Sequence, residues 1–529
     1  MHPRILLATL NAKYIHAALG LRYLLANMAR HGGEDVRAMT ALREFTIQRP
    51  AQEVVDALLA ALGPERGAVQ VVGFGVYIWN ITQTTEVVRL LKVQRPAIKV
   101  VLGGPEVSHE QDGMEIVHLA DHVITGWGDV SFPKLCRALV FGPRPLMKVI
   151  AGEQPPLDQI ALPYAEYSDA DLAHRVLYVE ASRGCPFKCE FCLSSLDKTA
   201  WAFDLDAFLA ELATLYQRGA RSFKFVDRTF NLKIDASVRV LQFFLDRMAA
   251  DPSAHLQLHF EVVPDHLPER LKAMIAQFPA GVLQLEIGIQ SFNPAVQQRI
   301  ARRQDNATTA ANVRWLVQHS QAHLHTDLIF GLPGETWQSF AQGFDALHAL
   351  GPQEIQLGVL KRLRGTPLAQ RSLPGQQAEY GMAYSFDPPY TVQHTDAVSA
   401  EEVHTFVRLA RYWDLVANSG RFARTLELLL QGESAFAAFA DFAQWLWGTS
   451  AATSGLTPEA LVDALFDYLT AQRQLPAGAV RAALLADYVA SGARSNPKAL
   501  QGHLPERAAP APSATAALRQ RQDRHLALR

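Results

Sequence analysis

Three cysteines fall within ten residues near the middle of the chain. Cys185, Cys189 and Cys192 have the spacing C-x3-C-x2-C inside the segment RGCPFKCEFC, residues 183–192. Thiolates are soft ligands that suit zinc or an iron–sulfur cluster. A structural zinc normally takes four protein ligands, and a cubane cluster that only transfers electrons takes four cysteines. Three cysteines without an obvious fourth ligand would leave one iron free, and we expect chemistry at that iron. The spacing alone leaves zinc and a simple electron relay open.

Composition limits the classes of protein to which the chain can belong. Its 529 residues are too many for one core and predict two to four domains. The 50 basic and 52 acidic residues nearly cancel, which argues against a polyanion as the main partner. The fourth cysteine, Cys136, lies in an amphipathic helical pattern and is expected to be a packed thiol, so no disulfides are predicted. No signal peptide and no run of ~18 apolar residues is visible, which predicts a cytoplasmic protein without a membrane span.

Residues 1–140 alternate between strand and helix patterns. Strands are predicted at 4–10, 36–42, 69–77, 97–101 and 122–125, and helices at 19–30 and 52–62. This alternation is typical of an α/β fold, a Rossmann-like doubly wound parallel sheet with helices on both faces. Ligands of such a sheet bind at the carboxyl edge of the strands.

Glycines follow several of these strands at the predicted carboxyl edge. A glycine there lets the backbone approach a flat or bulky ligand closely. Any one of these loops alone is better explained as a tight turn, but four loops at one edge favour a ligand site. The residues predicted to contact that ligand are Asn11, Gly75, Gly103, Gly104, Gly126 and Gly128.

The rest of the chain divides into four parts. Residues 141–175 are rich in proline and are predicted to be a linker. Residues 176–365 hold six or so strand–helix units, which predict a parallel β/α barrel, whole or partial, with its site at the carboxyl ends of the strands. Residues 366–500 read as a helical accessory domain that caps the barrel. Residues 501–529 are of low complexity and are expected to be mobile.

The cysteine loop follows the first predicted barrel strand, and in this it resembles the radical S-adenosylmethionine (SAM) superfamily. The resemblance implies a 4Fe–4S cluster on Cys185, Cys189 and Cys192 whose free iron chelates the amino and carboxylate groups of SAM. One electron then cleaves SAM to a 5′-deoxyadenosyl radical. A small electron donor of the flavodoxin or ferredoxin type is also implied. Phe191 corresponds to the aromatic residue that packs near the adenine.

Later strand ends resemble the coproporphyrinogen-dehydrogenase branch of that superfamily. The matching segments are HFEVVP (259–264), LEIGIQSF (285–292) and TDLIFGLPGET (326–336). The resemblance implies that SAM is contacted by Phe191, Asp227, Glu261, Gln290, Arg302 and Asp327. A carboxylate can pair with the ammonium of SAM, an arginine can clamp its carboxylate, and amide or carboxylate oxygens can accept from the ribose hydroxyls. Asp227 is open between a SAM contact and a substrate contact, and Arg303 leaves the identity of the clamp open.

The glycine loops of residues 1–140 resemble the cobalamin-binding domain that precedes many radical SAM enzymes. Gly103-Gly104-Pro105-Glu106 and Gly126-Trp127-Gly128-Asp129 carry the resemblance. The family motif D-x-H-x-x-G, which supplies a histidine to cobalt, is missing, because Gly20 comes one place too late after His16. Cobalamin would therefore be bound without that histidine.

The resemblances together imply a cobalamin-dependent radical SAM enzyme that methylates an unactivated carbon. One alternative is a radical rearrangement or oxidation in which cobalamin carries electrons. A second is a non-catalytic cobalamin or cluster sensor, which would not need the SAM-reading positions. A third is a zinc-stabilised binding module. The sequence leaves a small metabolite, a lipid, a peptide and a nucleic acid all open as substrate.

Overall fold

Two six-stranded parallel sheets form the framework of the chain in the computed structural model. The structure describes residues 2–65, 67–372, 379–493, 495–504, 521 and 524–525. Helices lie between successive strands in both sheets. The predicted α/β class, with a barrel-like second sheet and a helical C-terminal region, is confirmed.

The first sheet has the strand order β2-β1-β3-β4-β5-β6, with every pair parallel. Its strands are β1 (Ile5–Asn11), β2 (Thr40–Thr46), β3 (Val71–Gly75), β4 (Lys99–Gly103), β5 (His122–Thr125) and β6 (Val149–Ala151). Its helices are α1 (Leu19–Gly32), α2 (Glu34–Ala38), α3 (Ala51–Leu62), α4 (Ile81–Gln94), α5 (Glu115–Leu119) and α6 (Ser131–Phe141). All seven residues of β1 are buried, as expected for a strand covered on both faces. Successive residues of β1 point to opposite faces of the sheet: Leu6 enters the hydrophobic core on one face and Leu7 the core on the other.

Two details of this region differ from prediction. The strand predicted at 36–42 is present but begins only at Thr40 and runs to Thr46, because Val36 lies in helix α2. Gly33 ends α1 at a φ of +102°, and Glu34 and Asp35 then open α2, where acidic side chains favour a helix N-terminus. The predicted linker 141–175 also contains β6, which pairs with β5, so the first sheet extends beyond residue 140.

The second sheet has the order β14-β13-β12-β11-β10-β7 and is also parallel. Its strands are β7 (Leu177–Val179), β10 (Ser222–Phe225), β11 (Gln257–Val262), β12 (Leu283–Gln290), β13 (His323–Phe330) and β14 (Glu354–Val359), and the short pair β8 (Ser182–Arg183) and β9 (Trp201–Ala202) lies beside it. Its helices are α7 (Asp169–His174), α8 (Leu205–Gln217), α9 (Ile234–Ala250), α10 (Glu269–Ile275), α11 (Pro294–Arg299), α12 (Asn306–His319), α13 (Trp337–His348) and α14 (Pro367–Gln370). Among the described residues β7 and β14 do not pair with each other, so the barrel is partial.

The inner face of the partial barrel is polar. Strand β12 alternates strictly: Leu285 and Ile287 are buried under the helices, whereas Glu286 and Gln290 are only partly buried on the other face. A period of two residues puts alternate side chains on opposite faces of a sheet. The inner face therefore supplies polar groups to the carboxyl ends of the strands.

The C-terminal helices cover the outer edge of the second sheet. They are α15 (Ala400–Val416), α16 (Ala423–Leu429), α17 (Ala435–Ser450), α18 (Pro458–Asp467) and α19 (Ala477–Ala490), preceded by the short pair β15 (Ala383–Tyr384) and β16 (Val392–His394). Asn418 bonds both the N–H and the carbonyl of Ile355 in edge strand β14, at 3.0 and 2.9 Å. Phe406 stacks on Phe330 with ring centroids 4.2 Å apart. These contacts cover the edge of β14, which would otherwise be exposed.

Residues 366–500 were predicted to cap the barrel. In the structure their helices instead lie beside edge strand β14. The predicted mobile tail, 501–529, falls for the most part outside the described residues. Within its described part, Arg521 lies 2.8 Å from Glu354. None of the described helices has the length and apolar character needed to cross a membrane, and all four cysteines carry free thiols.

Candidate active site between the facing sheet edges

The carboxyl edges of the two sheets face each other across a cleft of about 420 Å³. We call it the glycine cleft, because the loops after β3, β4 and β5 line one side with glycines; the other side is formed by the chain after β7 and β10. Two polar contacts cross beside it. The guanidinium Nη1 of Arg183 forms a salt bridge of 2.8 Å with Oδ2 of Asp129. The indole N–H of Trp127 donates a hydrogen bond of 2.8 Å to the carboxylate of Asp197. The two sheets are thus held edge to edge.

Five of the six residues predicted to contact cobalamin line this cleft, and all five are glycines: Gly75, Gly103, Gly104, Gly126 and Gly128. Gly104 has a φ of +110°, and a Cβ there would lie 2.4 Å from the backbone oxygen of Val76. Gly126 has a φ of +71°, and a Cβ there would meet no atom within 4 Å, so this position opens into the cleft. A wall of bare backbone fits a broad, flat ligand such as a corrin ring.

Asn11 does not reach the glycine cleft. Its side-chain amide donates at 2.9 Å to the carbonyl of His16 and at 2.9 Å to the carboxylate of Glu44. Asn11 is the last residue of β1, and these bonds turn its side chain toward β2. The arrangement gives no support to the predicted cobalamin contact, and Asn11 instead fixes the loop after β1.

The cysteine loop begins just after β8, in the short two-stranded pair beside the second sheet. Gly184 has a φ of +85°, and a Cβ there would lie 2.6 Å from the hydroxyl of Thr199 and 2.7 Å from the N–H of Ala200, so this turn requires glycine. The N–H of Cys185 donates to the carbonyl of Asp197 at 2.9 Å. The hydroxyl of Ser195 donates to the carbonyl of Cys189 at 2.9 Å. Hydrogen bonds within the loop and to Asp197 thus fix its course.

Cys185, Cys189 and Cys192 line a second cavity of about 270 Å³, here called the cysteine cavity. Burial raises the pKa of the Cys185 and Cys189 thiols, so their thiolates need a positive partner. Arg302 lies 3.9 Å from the sulfur of Cys189. Within the described ranges, no three His, Cys, Asp or Glu side chains are grouped so that they could hold a single metal ion. A cubane cluster sets a different requirement, since its thiolates bind different irons.

The ends of β11, β12 and β13 bring most of the predicted SAM contacts to the same cavity. Besides the cysteines it is lined by Phe191, Glu261, Gln290, Arg302 and Asp327. Glu261, Gln290 and Asp327 come from the neighbouring parallel strands β11, β12 and β13, whereas Phe191 lies in the cysteine loop and Arg302 follows α11. Soft thiolates, two carboxylates, an amide and a guanidinium form a donor set that fits a cluster with an amino-acid ligand.

Two buried acceptors in the cysteine cavity lack a hydrogen-bond donor. They are the side-chain oxygen Oε1 of Gln290 and the carboxylate oxygen Oδ1 of Asp327, although Oδ1 of Asp327 also forms an ion pair with the protonated ring of His325, 3.4 Å away. Gln290 also has a φ of +71°, a conformation that is strained for a residue other than glycine. Buried acceptors without donors are costly. Hydroxyl groups of a bound ligand, such as those of a ribose, would satisfy both.

Ionisable side chains at this cavity are paired with groups of the opposite charge. Burial raises the pKa of Glu261, and the guanidinium of Arg228, 3.1 Å away, opposes that shift. Burial would lower the pKa of His325, but the carboxylates of Asp327 and Glu354 outweigh it and raise that pKa to about 9. The Glu261 carboxylate is thus paired with the Arg228 guanidinium. His325 is protonated at neutral pH.

Asp227 lies outside the cysteine cavity. Its carboxylate accepts hydrogen bonds from the N–H of Ala181 at 2.9 Å and from the hydroxyl of Ser182 at 2.5 Å. Asp227 lines a small separate cavity of about 40 Å³ behind β8. This position does not support a SAM contact, and the bonds to Ala181 and Ser182 indicate that Asp227 fixes the chain that leads into the cysteine loop.

The position of Asp227 predicts a specific dependence of stability on pH. Burial raises its pKa to about 7, although the donors of Ser182 and Ala181 oppose the shift, whereas the unfolded value is about 3.9. Between these two values the native state binds a proton that the unfolded state does not. The free energy of unfolding should therefore fall as pH rises through that window, by up to about 1.4 kcal/mol per pH unit.

Urea denaturation of the wild type and of Asp227→Asn at a series of pH values measures this effect. Because asparagine does not titrate, the wild type should lose stability relative to the variant between about pH 4 and 7, and the difference should level off above about pH 8. A difference between the two proteins that does not change with pH would contradict the assignment.

The sequence did not identify several residues that line the two cavities. In the glycine cleft they include Tyr23, Tyr77 and Phe132 from the first sheet, and Arg183 and Arg228 from the second. Tyr77 and Phe132 follow the glycine loops in sequence, and Arg228 follows the predicted strand end at Asp227, so position was a usable signal for these three. Tyr23 lies within α1, where an aromatic residue reads as ordinary core.

Sequence profiles of known families match three parts of the chain. The profile of the B12 binding domain matches residues 5–136, and that of the radical SAM superfamily matches residues 179–347. A third profile, for a protein family of unknown function called DUF4080, matches residues 378–524. The first match covers strands β1 to β5, the second covers strands β10 to β13, and the third covers most of the helical region.

Relatives with similar sequences include two methyltransferases. The chain is 27% identical to the uncharacterized methyltransferase PH0819 of Pyrococcus horikoshii over 322 residues, which cover 54% of this chain and 66% of the relative. It is 22% identical to the cobalamin-dependent radical SAM methyltransferase TokK of Streptomyces tokunonensis over 395 residues, which cover 68% of this chain and 56% of the relative. The chain thus spans between half and two thirds of the length of these relatives.

Solved structures share the fold at low sequence identity. The radical SAM methyltransferase TsrM of Kitasatospora setae, with cobalamin and a [4Fe-4S] cluster bound, superposes with a TM-score of 0.53 at 17% identity over 73% of this chain and 78% of that one. The cobalamin-dependent SAM radical enzyme OxsB with aqua-cobalamin bound gives a TM-score of 0.59 at 11% identity over 93% and 81%.

Proposed function

This chain belongs to the radical SAM superfamily and carries an N-terminal B12-binding domain, and from that premise we propose that it is a cobalamin-dependent methyltransferase acting on an unactivated carbon. Its cofactors are a 4Fe–4S cluster, SAM and cobalamin. One observation carries the proposal: the cysteine cavity and the glycine cleft adjoin each other at the facing sheet edges, with Arg228 lining both. A methyl carrier and a radical generator must lie close together to act on one carbon.

When bound, the cluster supplies the electron that cleaves SAM to a 5′-deoxyadenosyl radical, and cobalamin supplies a carrier for the methyl group. In this proposal the three cysteines hold the cluster. Glu261 pairs with the ammonium of SAM, and Arg302 pairs with its carboxylate. The oxygens of Gln290 and Asp327 accept from the ribose hydroxyls, a role supported for Gln290 by its lack of a donor. Phe191 packs against the adenine.

The assignment of methyl transfer, rather than rearrangement or oxidation, is supported by the relatives. Two methyltransferases match 54% and 68% of this chain, and both matches are longer than the radical SAM profile match alone. A sensor would not require five side chains arranged to bind SAM at one cavity. We also propose a small flavodoxin- or ferredoxin-type protein as the electron donor and the reducing cytoplasm as the compartment.

The proposal is tested by purifying the chain anaerobically, reconstituting the cluster and cobalamin, and adding SAM with a reductant. Both 5′-deoxyadenosine and S-adenosylhomocysteine should then form, because one SAM is cleaved and another gives up its methyl group. Mass spectrometry quantifies both products. A colourless protein that forms neither product would contradict the proposal, and deoxyadenosine without S-adenosylhomocysteine would favour rearrangement or oxidation.

A further inference from the structure

Arg228 stands where the two cavities meet. Of the described residues that line either cavity, it alone lines both. It follows the end of β10, next to Asp227, whose buried carboxylate fixes the chain leading to the cysteine loop. A molecule that must reach both cofactors has to pass or contact this side chain.

The guanidinium of Arg228 still has donors to offer. Its Nη1 donates to both carboxylate oxygens of Glu261 at 3.1 Å, whereas Nε and Nη2 make no hydrogen bond with the described residues. The side chain is 54% exposed and lines both cavities. The pairing with Glu261 fixes the guanidinium in place without using up its donors.

The other cation of the glycine cleft differs in this respect. All three nitrogens of Arg183 are engaged, Nε with Glu180 at 2.7 Å and the two terminal nitrogens with Asp129 at 2.8 and 3.1 Å. Arg183 and Arg228 are the two basic residues among those described that line this cleft. Arg228 is therefore the cation of the cleft that can bind a further anion.

We propose that Arg228 binds an anionic oxygen group, a carboxylate or a phosphate, on the molecule that is methylated. A planar fork of N–H donors matches the oxygens of both groups. Binding there would place the substrate at the junction between the two cofactor sites, where a neutral or cationic substrate would offer the guanidinium no charged acceptor. This inference rests on the proposed function and adds to it the chemical class of the substrate.

The experiment uses the reconstituted holoenzyme with cluster, cobalamin and SAM, and inorganic phosphate as the probe. With cobalamin in its paramagnetic Co(II) form and the cluster oxidised, so that SAM stays intact, phosphate held at Arg228 lies near the cobalt, and its ³¹P relaxation should be enhanced in a saturable way. Acetate should compete with phosphate, and acetamide, which is neutral, should not. The relative strength of acetate and phosphate then distinguishes a carboxylate from a phosphate substrate.

Arg228→Gln should weaken phosphate binding roughly ten- to a hundredfold, the range expected for losing a charge-assisted hydrogen bond. Arg228→Lys keeps the charge near Glu261 but loses the fork, and should weaken it less. Iron and cobalamin contents, measured in each variant, identify protein that has lost its sites; if the glutamine variant loads poorly, the lysine variant carries the comparison. Two results would overturn the inference. One is a phosphate affinity that is the same in the wild type and in the loaded variants, and the other is the absence of saturable relaxation in the wild type. Formation of both SAM products alongside such a result would leave the proposed function standing, whereas absence of both products would remove the function itself.

Discussion

Replacing Cys189 by alanine is expected to abolish the iron–sulfur cluster and the formation of 5′-deoxyadenosine, and to leave cobalamin bound. Cys189 is buried at the cysteine cavity, 3.9 Å from Arg302. No fourth cysteine is near, because Cys136 lies in α6 under the first sheet. A cluster already held by three protein ligands cannot lose one of them without losing most of its affinity. Iron and sulfide analysis, absorbance and product assay measure the three outcomes.

Cys136→Ala is the matched control. Cys136 is fully buried, and burial raises the pKa of its thiol far above the ordinary range, so it behaves as an apolar side chain. The variant should lose some stability, as buried side chains do when they are shortened, and should keep its full iron content. Retention of the cluster by Cys189→Ala would show that Cys189 is not a ligand. Loss of both cofactors from that variant would show that the two sites do not form independently.

Replacing Gly126 by leucine is expected to abolish cobalamin binding while the cluster remains. A Cβ at this position meets no atom within 4 Å, so a larger side chain would extend into the glycine cleft and occupy the space of the ligand. The φ of +71° adds a backbone cost of about 1–2 kcal/mol for a residue other than glycine. Cobalamin content after reconstitution measures the effect.

Gly113→Leu separates the two causes. Gly113 has a φ of +76° and likewise no atom within 4 Å of a built Cβ, but it does not line the glycine cleft. The variant therefore carries the same backbone strain without filling the site, and it should bind cobalamin normally. Equal losses of cobalamin in the two variants would mean that strain, rather than blocking of the cleft, explains the result at Gly126.

Local sequence patterns were sufficient for the framework. Apolar runs such as Ile5–Asn11, covered on both faces, and the strict alternation of Leu283–Gln290 predict the parallel strands directly. Parallel strands then bring Glu261, Gln290 and Asp327 to one edge, because register and direction fix where strand ends lie. The position of the cysteine loop at this edge could be predicted for the same reason, because the loop comes after the first strand of the barrel in sequence.

Side-chain direction at a strand end could not be predicted in this way. Asn11 and Asp227 both end strands or follow them directly, yet each turns toward neighbouring chain, Asn11 to His16 and Asp227 to Ala181. The hydrogen bonds that decide this involve other loops. Position in the strand gives no information about them.

Long-range contacts account for the other differences. The C-terminal helices lie beside β14 because Asn418 satisfies the backbone of Ile355 and Phe406 stacks on Phe330. An amphipathic pattern shows that a helix has a buried face but does not identify the surface that buries it. Arg228 was likewise visible only as a neighbour of Asp227, since its place between two cavities depends on how two sheets meet.

In the proposed function, one chain holds both cofactors at facing sheet edges. Electron paramagnetic resonance of the anaerobically reconstituted protein tests it most directly, with the cluster reduced and cobalamin in its Co(II) form. Magnetic coupling is expected: the cobalt signal should broaden and relax faster when the cluster is reduced than in Cys189→Ala, which lacks the cluster. A spectrum of the doubly loaded protein that equals the sum of the two separate signals would contradict this arrangement.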